Sequence, residues 1–166
     1  MPTPIRGHDR ITGAVALQAI RSASPRDVRP SDTADYVPEL VNLCERFGLR
    51  ATVLLSQWHH ETGGGGPAGR WRELNPAGLG ITSSNDRTPY QILTGTEAAQ
   101  LHVWSMLIAL REWDDADKIK LPPAATSWRN RWQTKYSDPT CPAVYNVEDL
   151  NLIYSGDRAT WATDPA

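Results

Sequence analysis

Cysteine occurs only twice in this chain, methionine twice and phenylalanine once, and the net charge is only −2. Two cysteines, Cys44 and Cys141, permit one disulfide at most, and their separation in sequence says nothing about geometry. Cys44 falls on the apolar face of an expected helix and reads as a buried thiol; pairing with Cys141 stays open. No zinc-ligand spacing occurs. His59-His60-Glu61 does not form a His-Glu-x-x-His motif, and adjacent helical histidines point about 100° apart, so no metal site and no cofactor are expected. The near balance of charge leaves no basic field for nucleic acid. No apolar run approaches membrane-spanning length, so no membrane insertion is expected. Met1-Pro-Thr-Pro-Ile-Arg lacks the apolar core of a signal peptide.

What is present suits one globular domain. The length, 166 residues, is close to the ~150 residues typical of a domain. The aromatic balance is unusual, with seven tryptophans and five tyrosines against the lone phenylalanine. Indole and phenol join a flat apolar face to a polar handle, which suits sugar rings and equally suits a core. No internal repeat and no low-complexity tract occurs.

Local patterns predict a mainly α chain. Residues 1–10 read as a polar N-terminal arm, followed by a single domain over 11–166. Thr12 is the N-cap of a short helix to Ser22, with Val15, Ala16, Leu17 and Ile20 facing the core. Asp35 caps a helix through Phe47, with Pro38 in its first turn and an apolar face of Tyr36, Val37, Leu40, Val41, Cys44 and Phe47. Gly48 ends it, and the next helix begins almost at once, so the two form a hairpin. Thr94-x-x-Glu97 is a capping box that opens a helix through about Trp113. That helix is apolar on most faces and should be the buried central one. Ser127 to Tyr136 carries Trp128, Trp132 and Tyr136 at a spacing of four, a core stripe. Asn146 caps a last short helix over 147–154.

The chain is organised around residues 50–82. Val53, Leu54, Gln57, Trp58 and Glu61 recur three or four positions apart on one helical face. Glu61 lies where this stripe runs out, and Thr62 with Gly63 to Gly66 stops the helix directly after it. Partial burial there disfavours the charged carboxylate and raises its pKa, as a general acid requires. A solvated helix-end glutamate has the same local pattern, so the surrounding phrase decides.

That phrase is Gln57-x-x-His60-Glu61-Thr62-Gly63, then Trp71-x-x-x-Asn75-Pro76-Ala77-Gly78-Leu79-Gly80-Ile81-Thr82. It resembles the glucosaminidase family of peptidoglycan hydrolases, in the form found in phage and bacterial lysins. Tyr90-x-x-x-x-Gly95-x-Glu97-Ala98-Ala99-x-x-His102-Val103 is similar to the family segment that opens the next long helix. Val147-x-Asp149-Leu150-Asn151 and Trp161-Ala162-Thr163-Asp164-Pro165 resemble its end. The resemblance implies a lysozyme-like helical domain with a small or reduced β-hairpin lobe beside the cleft.

The resemblance also implies chemistry. Glycosidic cleavage needs a proton on the leaving oxygen, and usually a second carboxylate as nucleophile or base. Glu61 is the expected acid. Asp86, in the loop facing the expected cleft, is the first choice for the second group, though a solvated turn aspartate fits equally. Glu97 is the runner-up, already used in its capping box. Gln57 is placed to bind the sugar or orient the acid. Trp58 and Trp71 offer faces for sugar stacking, with a core role open for Trp58. His60 could tune the acid, Asn75 fixes the turn, and Tyr90 matches a family aromatic near the site. The expected activity is an endo-β-N-acetylglucosaminidase acting on peptidoglycan glycan strands at the bacterial cell wall, as a monomer. Release by a holin, a phage tail or a larger parent protein would take it there. A muramidase or lytic transglycosylase on the same fold, or a non-catalytic wall-binding or phage structural module, are the alternatives.

Overall fold

The structure, a computed structural model, describes residues 2–24, 26–67, 70–79, 92–122, 125, 129, 137, 141 and 144–150. It is mainly helical, and the described residues contain no strand. Helix α1 spans Gly13–Ala23, α2 Pro30–Phe47, α3 Ala51–Thr62, α4 Gly95–Ala109 and α5 Trp113–Ala116. Short 3-10 turns cover Arg70–Glu73 and Val147–Leu150. The expected hairpin lobe, the Trp128 to Tyr136 stripe and the chain beyond Leu150 lie outside the described residues.

Helix α1 starts as its sequence predicts, with Thr12 Oγ1 accepting from Val15 N–H at 3.3 Å. Its inward face differs in one position. Ala16 is buried and Leu17 and Ile20 pack on the core, but Val15 is 56% exposed. Positions 13, 16, 17 and 20 form one helical stripe, and position 15 lies on the far side of it.

Helix α2 starts five residues before the expected Asp35. Pro30 occupies its first turn, where a missing N–H costs nothing, and Asp32 sits at the positive end of the helix dipole. Pro38 is therefore inside the helix, where it removes the donor that would meet the Ala34 carbonyl. The apolar face from Tyr36 to Phe47 is buried as its spacing requires, together with Thr33 and Leu43. Gly48 ends the helix at φ 63°. Leu49 and Arg50 complete the corner into α3, so α2 and α3 form the expected hairpin.

Helix α4 lies against α2 and is buried along almost its whole length, as a helix apolar on most faces must be. Thr94 Oγ1 accepts from Glu97 N–H at 3.2 Å, and Glu97 Oε2 accepts from Leu93 N–H at 2.8 Å. The helix stops at Ala109, four residues short of Trp113, because Arg111 turns the chain with φ 62°.

The stretch read as a polar arm is woven into the fold. Ile5 is fully buried. Its N–H donates to Tyr145 O at 3.1 Å, and its carbonyl accepts from Arg50 N–H at 2.9 Å. Gly7 N–H reaches Gly48 O at 3.0 Å, and Val147 N–H reaches Thr3 O at 2.8 Å. Isolated antiparallel bridges pair Pro4 with Asn146 and Arg6 with Leu49. The segment thus straps the α2–α3 corner to residues 145–147. Alternating polar neighbours conceal one apolar anchor, and a single isoleucine gives no periodicity to detect.

Among the described residues no helix is long and apolar enough to cross a membrane. Cys44 is buried, Cys141 is half-buried, and both are free thiols.

Candidate active site

Helix α3 carries Gln57, Trp58 and Glu61 on its inner face; its start is capped from another segment, and its end is fastened by its own Thr62. Arg50, at the N-cap, supplies no side-chain cap. Asp9 does so from the N-terminal strap, its Oδ2 accepting from Thr52 N–H at 2.7 Å and from Thr52 Oγ1 at 2.8 Å. At the other end Thr62 is buried. Its hydroxyl donates to Trp58 O at 2.6 Å and accepts from Gly65 N–H at 3.0 Å. Gly63, Gly64 and Gly65 follow at φ 60°, 67° and 82°, a left-handed run closed to side-chain-bearing residues except at a strain cost. Gly64 N–H donates back to His59 O at 2.7 Å. Thr62 and the glycines therefore stop α3 directly behind Glu61.

Glu61 is half-buried. Burial raises its pKa above the ordinary carboxylate value, and the neighbouring His60 works weakly in the opposite direction. His60 itself is exposed beside the acid, a position from which its charge can tune Glu61.

The turn after the glycine loop returns to this carboxylate. Asn75 is buried and closes the turn from both ends of its amide: Oδ1 accepts from Leu79 N–H at 2.8 Å, and Nδ2 donates to Leu79 O at 3.0 Å. Gly78 lies within it at φ 59°. A Cβ at Gly78 would sit 3.3 Å from Glu61 Oε2. The structure thus brings the acid and the Asn75–Leu79 turn together.

The two tryptophans expected to stack on sugars are buried completely. Trp58 and Trp71 meet edge to face at 5.4 Å, and Tyr36 of α2 packs on both, at 5.7 Å and 4.9 Å. Trp71 Nε1 donates to Thr33 Oγ1 at 2.8 Å. Neither ring has a face open to a ligand, which corrects the stacking expectation. The three rings pack together between α2, α3 and the 3-10 turn; Trp71 meets both Tyr36 and Trp58 edge to face, a geometry suited to their quadrupoles, while Tyr36 and Trp58 are tilted.

Gln57 is also fully buried and cannot contact a sugar directly. It bonds His102 Nε2 of α4 at 2.9 Å, and His102 Nδ1 bonds Tyr36 Oη at 2.8 Å. Burial lowers the His102 pKa to about 3 and pushes the Tyr36 phenol well above its usual value, so both are neutral. Residues 36, 57 and 102 are far apart in sequence, and only packing joins them. A histidine among the apolar residues of α4 was the one local signal of a buried polar partner.

Asp86 and Tyr90 lie outside the described residues. Glu97 is occupied by its cap at the start of α4. Among the described residues no group of three or more histidine, cysteine, aspartate or glutamate side chains could hold a metal ion. No protein-family model, no curated protein and no solved structure matches the chain.

Proposed function

We propose that this chain cleaves β-1,4 glycosidic bonds of peptidoglycan, as an endo-β-N-acetylglucosaminidase with Glu61 as its general acid. One observation carries this reading: a half-buried carboxylate, its pKa raised by burial, lies near the end of a helix against a tight turn whose Gly78 has positive φ and whose Cβ position is 3.3 Å from Glu61 Oε2. A purely structural glutamate has no need of that environment. An acid that must hold its proton near neutral pH and then release it to a leaving oxygen does. The motif resemblance supplies the substrate class, and with it the lysozyme-like arrangement and action at the bacterial wall. Asp86 remains the proposed second group, as nucleophile or as base for water.

The test is digestion of purified peptidoglycan by wild type and Glu61→Gln, with mass spectrometry of borohydride-reduced products. Reduced N-acetylglucosamine ends that vanish in the variant are expected. Reduced muramic ends would make the protein a muramidase, and anhydro-muramic ends a lytic transglycosylase. No soluble product from a folded wild type would overturn the enzymatic reading in favour of a wall-binding or structural module.

A further inference from the structure

Three buried side chains from three helices make a directed hydrogen-bond line that ends on α3, one turn before Glu61. His102 is neutral, so one ring nitrogen donates and the other accepts. Gln57 Oε1 faces His102 Nε2, and an amide oxygen only accepts, so Nε2 carries the proton. His102 Nδ1 is then an acceptor, and the Tyr36 hydroxyl donates to it. Each bond runs the same way, from Tyr36 through His102 to Gln57, and each polarises the next. The line ends at Gln57 Nε2, a buried amide nitrogen with no hydrogen-bond partner. Folded proteins seldom leave a buried donor unmet.

Glu61 lies four residues beyond Gln57, stacked above it on the same face of α3. Side chains at this spacing have Cβ atoms about 5–6 Å apart, within reach of each other; the Gln57 amide nitrogen and the Glu61 carboxylate are not hydrogen-bonded in this structure. Ionisable groups around this end of α3 are His59 and His60 on α3 itself, Tyr36 on α2 and His102 on α4, Asp27 beside Gly65, Arg29 with its partner Asp32, and Arg72 and Glu73 on the 3-10 turn that Arg29 reaches. The 75–79 turn carries none.

We propose that Gln57 is the positioning residue of Glu61, its amide locked by His102 and Tyr36 so that the free N–H meets the carboxylate as it ionises. The inference rests on Glu61 being the general acid. In the ground state the Glu61 O–H faces the glycosidic oxygen. As the C–O bond breaks, the proton moves to that oxygen and Glu61 becomes a carboxylate in a half-buried place. A fixed donor stabilises that charge and not the neutral acid, so it acts on the transition state rather than on the bound substrate. Tyr36 and His102 keep their protons throughout.

The experiment follows the Glu61 side-chain carboxyl by 13C NMR titration without substrate, in wild type, Gln57→Met and Tyr36→Phe, with pH–rate profiles on peptidoglycan alongside. Gln57→Met should raise the Glu61 pKa by about one unit, a tenfold change in proton affinity. It should move the basic limb of kcat with the pKa and lower kcat about as much. Tyr36→Phe keeps the ring packed on Trp58 and Trp71 and should shift the pKa the same way by less. This variant carries the test if Gln57→Met does not fold. An unchanged Glu61 titration, or a fall in its pKa as an amide oxygen facing the acid would give, overturns the proposal. A wild type inert on peptidoglycan overturns the enzymatic reading and the catalytic use of Gln57 with it, while the titration still decides the Gln57–Glu61 contact.

Discussion

At Glu61 the protein holds a carboxylate partly out of water, with burial the larger influence on its proton affinity and His60 the smaller. A carboxylate whose folded pKa exceeds its unfolded value binds protons more tightly when folded. It opposes folding as pH rises through that interval, and fully opposes it above the folded pKa. Glu61→Gln should therefore melt at or slightly above the wild-type temperature at neutral pH while losing hydrolysis; calorimetry and product analysis on the same preparation check both. Gly78 offers a second test. An alanine there takes a left-handed conformation, at about 1–2 kcal/mol, and places its methyl carbon 3.3 Å from Glu61 Oε2. Gly78→Ala should lose about that much stability by urea unfolding and a larger share of activity. Gly78→Asn, better tolerated at positive φ, should recover stability without activity. The helical spacing of Glu61 and the glycine in its turn are visible in the sequence. Their approach to each other is not, because it depends on how the glycine loop folds back.

The element that matters most is α3, a twelve-residue helix whose first turn is capped by a residue from the N-terminal strap and whose last turn is fastened by its own threonine. Asp9 holds the first turn and Thr62 fastens the last to the glycine loop. Capping interactions of this kind contribute about 1 kcal/mol each. Asp9→Ala should lower stability by roughly that amount and lower activity with it, read by urea denaturation and turnover, because the helix that carries the acid frays at its start. The starting signals of α1 and α4 were legible: Thr12 and Thr94 both accept the N–H bonds their motifs call for. The start of α2 was obscured because its apolar stripe begins only at Tyr36, while Pro30 opens the helix on polar residues. Asp9 could not be read as a cap of α3, since its partner lies 43 residues away.

For the whole molecule, the line through Tyr36, His102 and Gln57 ties α2, α4 and α3 together inside the core. Its histidine gives a pH dependence of known sign. With a folded pKa of about 3 against 6.5, the native state binds fewer protons than the unfolded chain between those values. Stability from this group is full above the unfolded pKa and is lost as pH falls toward 3. The limiting slope is about 1.4 kcal/mol per pH unit. Urea unfolding between pH 7 and 5, above most carboxylate titrations, should show this loss, and His102→Gln should flatten it. A wild type equally stable at both pH values would contradict a neutral buried His102. The N-terminal strap belongs to the same scale, because Ile5 closes the core between the α2–α3 corner and residues 145–147.

Sequence alone determined the mainly helical character, the hairpin of α2 and α3, the buried status of α4 and the position of Glu61 at a helix end. Each follows from periodicity, caps and glycine stops, which act within a few residues. Only tertiary structure decided what the inner face of α3 touches. Trp58, Trp71 and Gln57 look available along the chain, yet packing against α2 and α4 takes all three out of reach of a ligand and leaves Glu61 half-buried above them. Which side of an apolar or aromatic residue meets solvent depends on the elements laid over it, and those come from segments tens of residues distant.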